Sequence, residues 1–295
     1  MIVLMEQIVI AVLLAVLGLC MGSFAGATVW RLRARQLVED KADGEKVDAD
    51  EYKTLQPLTK ATLATDRSRC LHCGHELKWY DLLPLASWLS TGGRCRYCHE
   101  KIGLFELLIE LGMAAFFAAS YLLWPEIVTP LDIALFGLWL VSGVLLAILF
   151  AYDTKWFLLP NQVVFPLIGV AAVAAVLRLF EADDIAATLL DQAAAIVILS
   201  GLYLFLWYFS KGKWIGFGDV KLGLALALLL GNWQLAFLAL FLANLIGCIV
   251  VIPGLLSGRM NRKTHVPFGP LLIVGAVATM LVGQPILQWY FAILL

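Results

Sequence analysis

Residues 221–259 read KLGLALALLLGNWQLAFLALFLANLIGCIVVIPGLLSGR, and they decide the fold. A lysine opens the stretch, an arginine closes it, and no charged residue lies between them. Membrane proteins keep the positive charge of their short loops on the cytoplasmic side. With Lys221 and Arg259 on the same side, the apolar stretch between them has to cross the bilayer twice. Gly231-Asn232 supplies the turn, because both residues tolerate the backbone of a tight reversal. The first crossing is short: 13 residues at 1.5 Å each reach about 20 Å, against about 30 Å of hydrocarbon core.

Working outward from this hairpin, the chain is 62% hydrophobic and 15% charged. That is too little charge to cover a soluble domain of this size, so lipid is its main solvent. A net charge of −1 gives no support for nucleic acid or an acidic partner. Apolar runs predict helices near 2–30, 104–124, 131–151, 162–180, 185–209, 219–231, 233–253 and 269–283, with a tail to 295. The first run lacks a basic flank and a small-residue cleavage site, and reads as a retained span rather than a signal peptide.

Charge sorts along these spans. Segment 31–102 holds 13 of the 21 Lys and Arg, and Lys155, Lys211, Lys213, Lys221, Arg259, Arg262 and Lys263 follow at alternate loops. Eight spans with the amino terminus outside put all of these on one side and leave Arg178 apart. The opposite loops carry Glu126, Asp132, Glu181, Asp183 and Asp184. The expected fold is therefore an all-α polytopic membrane protein of about eight transmembrane helices with a small cytoplasmic zinc-ribbon-like domain. Residues 1–30 form the first span, 31–102 the cytoplasmic domain and 103–295 a seven-helix membrane domain. Within the second of these, 39–60 is polar and of mixed charge, expected to be a flexible insertion or small helices.

Four of the six cysteines cluster in that domain. Cys70-Leu71-His72-Cys73 and Cys95-Arg96-Tyr97-Cys98 are two C-x-x-C turns separated by 21 residues. Each places two thiolates on one turn, and two turns complete a tetrahedral zinc site. A redox dithiol pair and a site using His72, His75 or His99 are the competing readings. A closed four-cysteine site would be a structural staple for a domain too small to bury an adequate core. Cys20 and Cys248 sit singly in apolar runs and read as small hydrophobes.

Ionisable groups at membrane depth usually have a task. Glu106, Glu110, Asp153 and Asp219 stand out. Asp153 ends the third span and Asp219 opens the short sixth one, so both fall at the cytoplasmic end of their helices although 66 residues apart. Two readings are open from the residues alone. Asp219 could cap its helix while Asp153 pairs with Lys155. Alternatively the two carboxyls form a dyad that shares a proton, one activating water and the other polarising a peptide carbonyl. Gly216 and Gly218 would then allow an extended peptide to approach closely. Non-enzymatic alternatives are a zinc-stabilised membrane scaffold and a proton-coupled transporter. The latter would want acids near mid-membrane.

A longer set of motifs narrows the choice. Gly22-Ser23-Phe24 precedes Arg31-Leu32, and Arg67-Ser68-Arg69 leads into the first cysteine turn. Trp79-Tyr80-Asp81, Pro84 and Ser87-Trp88-Leu89 separate it from Gly93-Arg94 and the second turn. Asp153 is followed by Leu159-Pro160, then Gly216-Phe217-Gly218-Asp219-Val220-Lys221, then Pro267-Phe268-Gly269-Pro270. In this order the set resembles the type IV prepilin peptidase family, whose members are aspartyl proteases of the GxGD type. The resemblance implies Asp153 and Asp219 as catalytic residues, Cys70, Cys73, Cys95 and Cys98 as the zinc ligands, and prepilins or pseudopilins as substrates. It also implies a place in the bacterial inner membrane with the site facing the cytoplasm, in company with pilus or type II secretion machinery.

Many members of that family also methylate the new amino terminus with S-adenosylmethionine, and Glu110 matches a family glutamate that is a candidate for this step. The chain departs from the family pattern at Gly26, where asparagine is usual, and at Phe105-Glu106-Leu107, where Arg-Tyr-Pro is usual. Asn161 replaces an aspartate, and Glu39–Glu51 is an acidic insertion. None of these touches the two aspartates, and methyl transfer stays open at this point.

Overall fold

A computed structural model describes residues 2–59, 67–125, 127–258 and 266–294. Lys60, Glu126, Arg259, Arg262 and Lys263, which entered the charge argument, lie outside the described residues. The described chain is helical, with two isolated β-bridges and no extended strand. It divides into two compact units, Met1–Leu122 and Leu123–Leu295. Among the described residues, seven helices are long and apolar enough to cross a membrane, and the molecule is a multi-pass membrane protein.

In the first unit, α1 (Ile2–Ala42) lies against α4 (Leu104–Leu123). Gly18 and Gly22 make the approach possible. A Cβ on Gly18 would fall 2.5 Å from the Met113 carbonyl oxygen, and one on Gly22 would fall 2.6 Å from the Glu110 Cα. Small residues four apart let membrane helices touch backbone to backbone, which compensates for the weak hydrophobic drive between helices in lipid. The predicted end of α1 near residue 30 is too early. The helix runs on for 12 residues because its polar extension is covered. Ala34 and Leu37 pack against Leu55 and Leu58 of α2 (Ala49–Leu55) and the short 3-10 turn after it, and Arg33 makes two hydrogen bonds to the Glu51 carboxylate at 3.1 and 2.7 Å. The 39–60 insertion is thus folded as small helices over the described part. The cysteine turns follow, with α3 (Ala86–Ser90) between them.

The second unit comprises α5 (Pro130–Trp156), α6 (Asn161–Leu179), α7 (Ile185–Ile196), a π-helical turn at Val197–Gly201, α8 (Leu202–Ser210), α9 (Phe217–Leu230), α10 (Trp233–Leu256) and α11 (Phe268–Leu294). The helix starts are chemically marked: Thr129 and Asp132 form a capping box with Pro130 at the first helical position of α5, and Asp184 caps α7. The predicted hairpin is present. Gly231 closes α9 with φ of +70°, and the Asn232 side chain accepts from the amides of Gln234 and Leu235 to start α10.

Helix α9 has 14 residues and is among the most deeply enclosed elements of its unit. Val220, Leu222, Gly223, Ala225, Leu226, Ala227, Leu229 and Leu230 are all buried. A Cβ on Gly223 would fall 2.6 Å from the Leu199 carbonyl oxygen, so α9 packs directly on the π-helical turn. Surrounding helices instead carry exposed Phe237, Phe241, Ile249, Phe165 and Phe205. Lipid meets these outer helices. A short helix is tolerated at membrane depth when protein rather than hydrocarbon surrounds it.

Candidate functional site

Asp153 lies one turn before the end of α5. Phe157 stops that helix by taking left-handed backbone, φ +56°, with its N–H donating to the Asp153 carbonyl at 2.9 Å. The chain then passes through Leu159 to Pro160, which precedes α6. Asp219 stands in the first turn of α9. Gly216, not Asp219, is the N-cap residue, and the Gly216 N–H faces the Asp219 carboxylate. The capping reading therefore survives only in part. The Asp153 carboxyl feels the charge of Asp219 and meets the Gly269 N–H at the start of α11. Asp153 is 6% exposed and Asp219 is half-buried. Three chain segments remote in sequence thus converge on two carboxyl groups. Lys155 turns its ammonium over the Trp156 ring, 5.7 Å from its centroid.

Glycines define the space around the pair. A Cβ on Gly269 would lie 2.6 Å from Asp153 Oδ2, a collision with the carboxylate itself. A Cβ on Gly218 would lie 3.1 Å from Leu159 Cβ and Cδ1, and Leu159 Cδ2 is 3.7 Å from the Gly269 position. Leu159 is therefore a common wall for both glycines. Lys221 donates from Nζ to Asn161 Oδ1, and its ammonium sits 5.5 Å from the centroids of both Phe165 and Phe217. The asparagine at 161 thus retains a hydrogen bond across from α6 to α9.

Sequence reasoning singled out Gly216 and Gly218 but missed Gly269, Leu159 and Tyr203 as parts of this site. The signal for the first two was present in the Leu159-Pro160 and Pro267–Pro270 motifs. Tyr203 follows the π-helical turn on α8, and its ring stands 5.4 Å from that of Phe268. It had no local signal, being one aromatic residue in an aromatic run.

In the first unit, the sulfur atoms of Cys70, Cys73, Cys95 and Cys98 lie within 4.8 Å of one another, with Cys70 and Cys98 Sγ 3.9 Å apart. Four sulfurs at about 2.3 Å from one zinc ion would stand about 3.8 Å apart, so the cluster fits zinc. The two turns are built alike. Cys70 N–H donates to His75 O and Gly74 N–H to Cys70 O; Cys95 N–H donates to Glu100 O and His99 N–H to Cys95 O. Gly74 and His99 occupy matching places with φ of +69° and +60°. Burial pushes the Cys70 thiol up to about 12. Burial opposes ionisation of Cys95 too, but the N–H groups of Cys98 and Tyr97 outweigh it and bring that thiol down to about 7. A bound dication would favour the thiolate at all four.

Asp81 ties the second turn to the chain between the knuckles. It accepts from Arg96 Nε and the Tyr97 hydroxyl, both at 2.9 Å, with its side chain 7% exposed. Burial works against its charge, yet these donors and the Lys78 N–H hold the carboxyl below its usual range. The histidines lie outside the sulfur cluster, and His75 instead stacks on Tyr97, with centroids 3.6 Å apart.

Glu110 is 7% exposed on α4. Its Oε2 accepts from the Leu85 N–H at 2.8 Å, and Ser23 supplies a second donor. Leu85 holds left-handed backbone, φ +59°, at the start of α3. Nearby Glu106 accepts from Trp30 Nε1 at 3.0 Å. Above them a Cβ on Gly26 would meet only Ile109 Cδ1, at 4.0 Å, so the position has room for a side chain.

Taken together, these features define a helical, multi-pass membrane protein with a carboxyl pair at helix ends and a four-cysteine cluster that could hold a metal ion. The model of the bacterial peptidase A24 N-terminal domain matches residues 16–124, and that of the type IV leader peptidase family matches residues 140–252. A prepilin leader peptidase/N-methyltransferase of Burkholderia pseudomallei is 33% identical over 92% of this chain and 84% of that protein. The Pseudomonas aeruginosa protein of the same name is 31% identical over 93% of this chain and 91% of its own length. An Escherichia coli type 4 prepilin-like proteins leader peptide-processing enzyme is 29% identical over 91% and 93%. The chain belongs to the type IV leader peptidase family. No solved structure matches it.

Proposed function

We propose that this protein removes the leader peptide of type IV prepilins and pseudopilins, using Asp153 and Asp219 as its acid–base pair. The observation that carries the reading is the convergence of these carboxyls from α5 and α9 on a space kept open by Gly218 and Gly269. An ionised member takes a proton from water as the oxygen attacks the scissile carbonyl carbon. The protonated member hydrogen-bonds the carbonyl oxygen, and a proton then passes to the leaving nitrogen as the C–N bond breaks. Gly216 and Gly218 give the substrate backbone access beside Asp219.

The site is proposed to face the cytoplasm of the bacterial inner membrane, because the lysines and arginines lie predominantly in loops on the side where α5 ends and α9 begins. A prepilin whose basic leader stays inside would present its cleavage point there. Cys70, Cys73, Cys95 and Cys98 would hold zinc as a structural staple, apart from the chemistry. Methyl transfer, the second activity in the names of the Burkholderia and Pseudomonas relatives, is assigned to Glu110. S-adenosylmethionine would supply the methyl group, while Glu110, fixed by Leu85 and Ser23, orients the new amine.

Co-expression with a prepilin, read by mass spectrometry of the pilin amino terminus, tests both activities. Wild type should yield a mature terminus carrying one methyl group. Asp153→Asn and Asp219→Asn should each leave the leader attached, lowering the rate by at least about 1,000-fold while insertion and zinc content persist. Substantial cleavage by either variant sinks the dyad. A mature but unmethylated wild-type product makes the chain a peptidase alone.

A further inference from the structure

Tyr203 is buried, 3% exposed, and its hydroxyl finds no hydrogen-bond partner among the described residues. Burying a hydroxyl in this state is unfavourable, and native structures rarely retain one without a reason. Its position is fixed by an antiparallel register between α9 and the helix that carries it. Leu199 meets Gly223, the Ser200 hydroxyl donates to the Val220 carbonyl at 3.0 Å, and the Trp207 ring lies 5.1 Å from that of Phe217. Between these contacts, Tyr203 falls opposite Asp219, whose charge it feels. Its ring also rests against Phe268, the neighbour of Gly269, which touches Asp153. The π-helical turn at Val197–Gly201 lies immediately before it, a distortion often found at functional positions.

We infer that Tyr203 is a further catalytic residue, whose hydroxyl donates a hydrogen bond to the carbonyl oxygen of the scissile peptide as that oxygen gains negative charge. The inference rests on the aspartate reading above. Both carboxylates already face a backbone donor, Gly216 for Asp219 and Gly269 for Asp153. The phenol makes no hydrogen bond to any described residue, and a bound peptide brings an acceptor. No proton is transferred. The hydroxyl keeps its hydrogen throughout and lowers the energy of the tetrahedral oxyanion, as a preorganised donor does.

The test is Tyr203→Phe in the full-length protein, which removes one oxygen and keeps the ring against Phe268. Cleavage of a purified prepilin should lose about 100-fold in kcat, with KM within threefold of wild type. Thermal stability should be unchanged or higher, because a buried hydroxyl without a partner is being removed. A kcat within threefold of wild type overturns the inference. So does a loss of kcat that is matched by a loss of thermal stability, which identifies a packing role. Asp153→Asn and Asp219→Asn run alongside: if they abolish cleavage and Tyr203→Phe does not, only the tyrosine assignment fails. If they retain cleavage, the aspartate reading fails first.

Discussion

The two chemical centres of this protein are assembled in opposite ways. The cysteine site is made of two short, nearly repeated turns, each closed by hydrogen bonds within about six residues. What joins them is the geometry of four sulfurs, so a metal ion would supply most of the cohesion. The aspartate site has no local framework. Asp153, Leu159, Asp219, Tyr203 and Gly269 come from separate helices and loops, and what joins them is close packing, with glycines admitting neighbours where a Cβ would collide. One centre would draw its cohesion from a ligand. The other draws it from packing, where a single added methyl group would collide with a neighbour.

Removing a ligand from the first centre is expected to have the largest effect. Cys70→Ser or Cys95→Ser should abolish bound zinc, which stoichiometric metal analysis of the purified protein reads directly. The domain around the turns should become protease-sensitive, since structural zinc commonly supplies folding free energy outright. Undiminished zinc in both variants would refute the site.

A methyl group placed in the second centre comes next. Gly269→Ala should lower the rate of leader cleavage by about 100-fold, because displacing a reacting group by about 1 Å has that scale of consequence. Zinc content and membrane insertion should stay at wild-type levels. Activity within a few-fold of wild type would show that the Asp153 carboxylate can move aside without loss, and that packing does not hold the pair as tightly as the distances imply.

The smallest effect sharpens the contrast inside the cysteine site. His99 occupies the left-handed position that Gly74 fills in the other turn. His99→Gly relieves steric strain but loosens the unfolded chain, so the net gain should be below about 1 kcal/mol. A small rise in the melting temperature of the zinc-loaded protein would record it. A clear fall would mean that the imidazole makes contacts worth more than the strain.

This contrast also governs what could be read from the sequence. The cysteine turns and their clustering were legible because their information is local: spacing alone pairs the thiols within each turn. The hairpin at Gly231-Asn232 was legible from charge at its two ends, and Asp153 and Asp219 from their places at helix termini. Tyr203 and Leu159 were not, because nothing near them reveals which helix they will face. The length of α1 was misread for a related reason. Arg31, Arg33 and Arg35 end the apolar run, and the sequence predicts a span that ends with it. Leu32, Ala34 and Leu37 continue a buried face, whose partners lie in the mixed-charge insertion beyond.

The shortness of α9 has a consequence for the electrical barrier across the membrane. Fourteen residues reach about 21 Å, well under the hydrocarbon thickness of about 30 Å. A helix of that length leaves the barrier beside Asp219 to be completed by the protein packed around it. The far end of α9 is plugged by protein. Arg178, the one cation that the charge pattern left apart, donates to the carbonyls of Leu228 and Leu229, and Gln192 donates to that of Ala227 at 2.9 Å. A fixed positive charge there complements the negative end of the helix dipole and opposes the approach of cations. Arg178 thus sets a positive charge at the closed end of the shortened helix, opposite the end that bears Asp219.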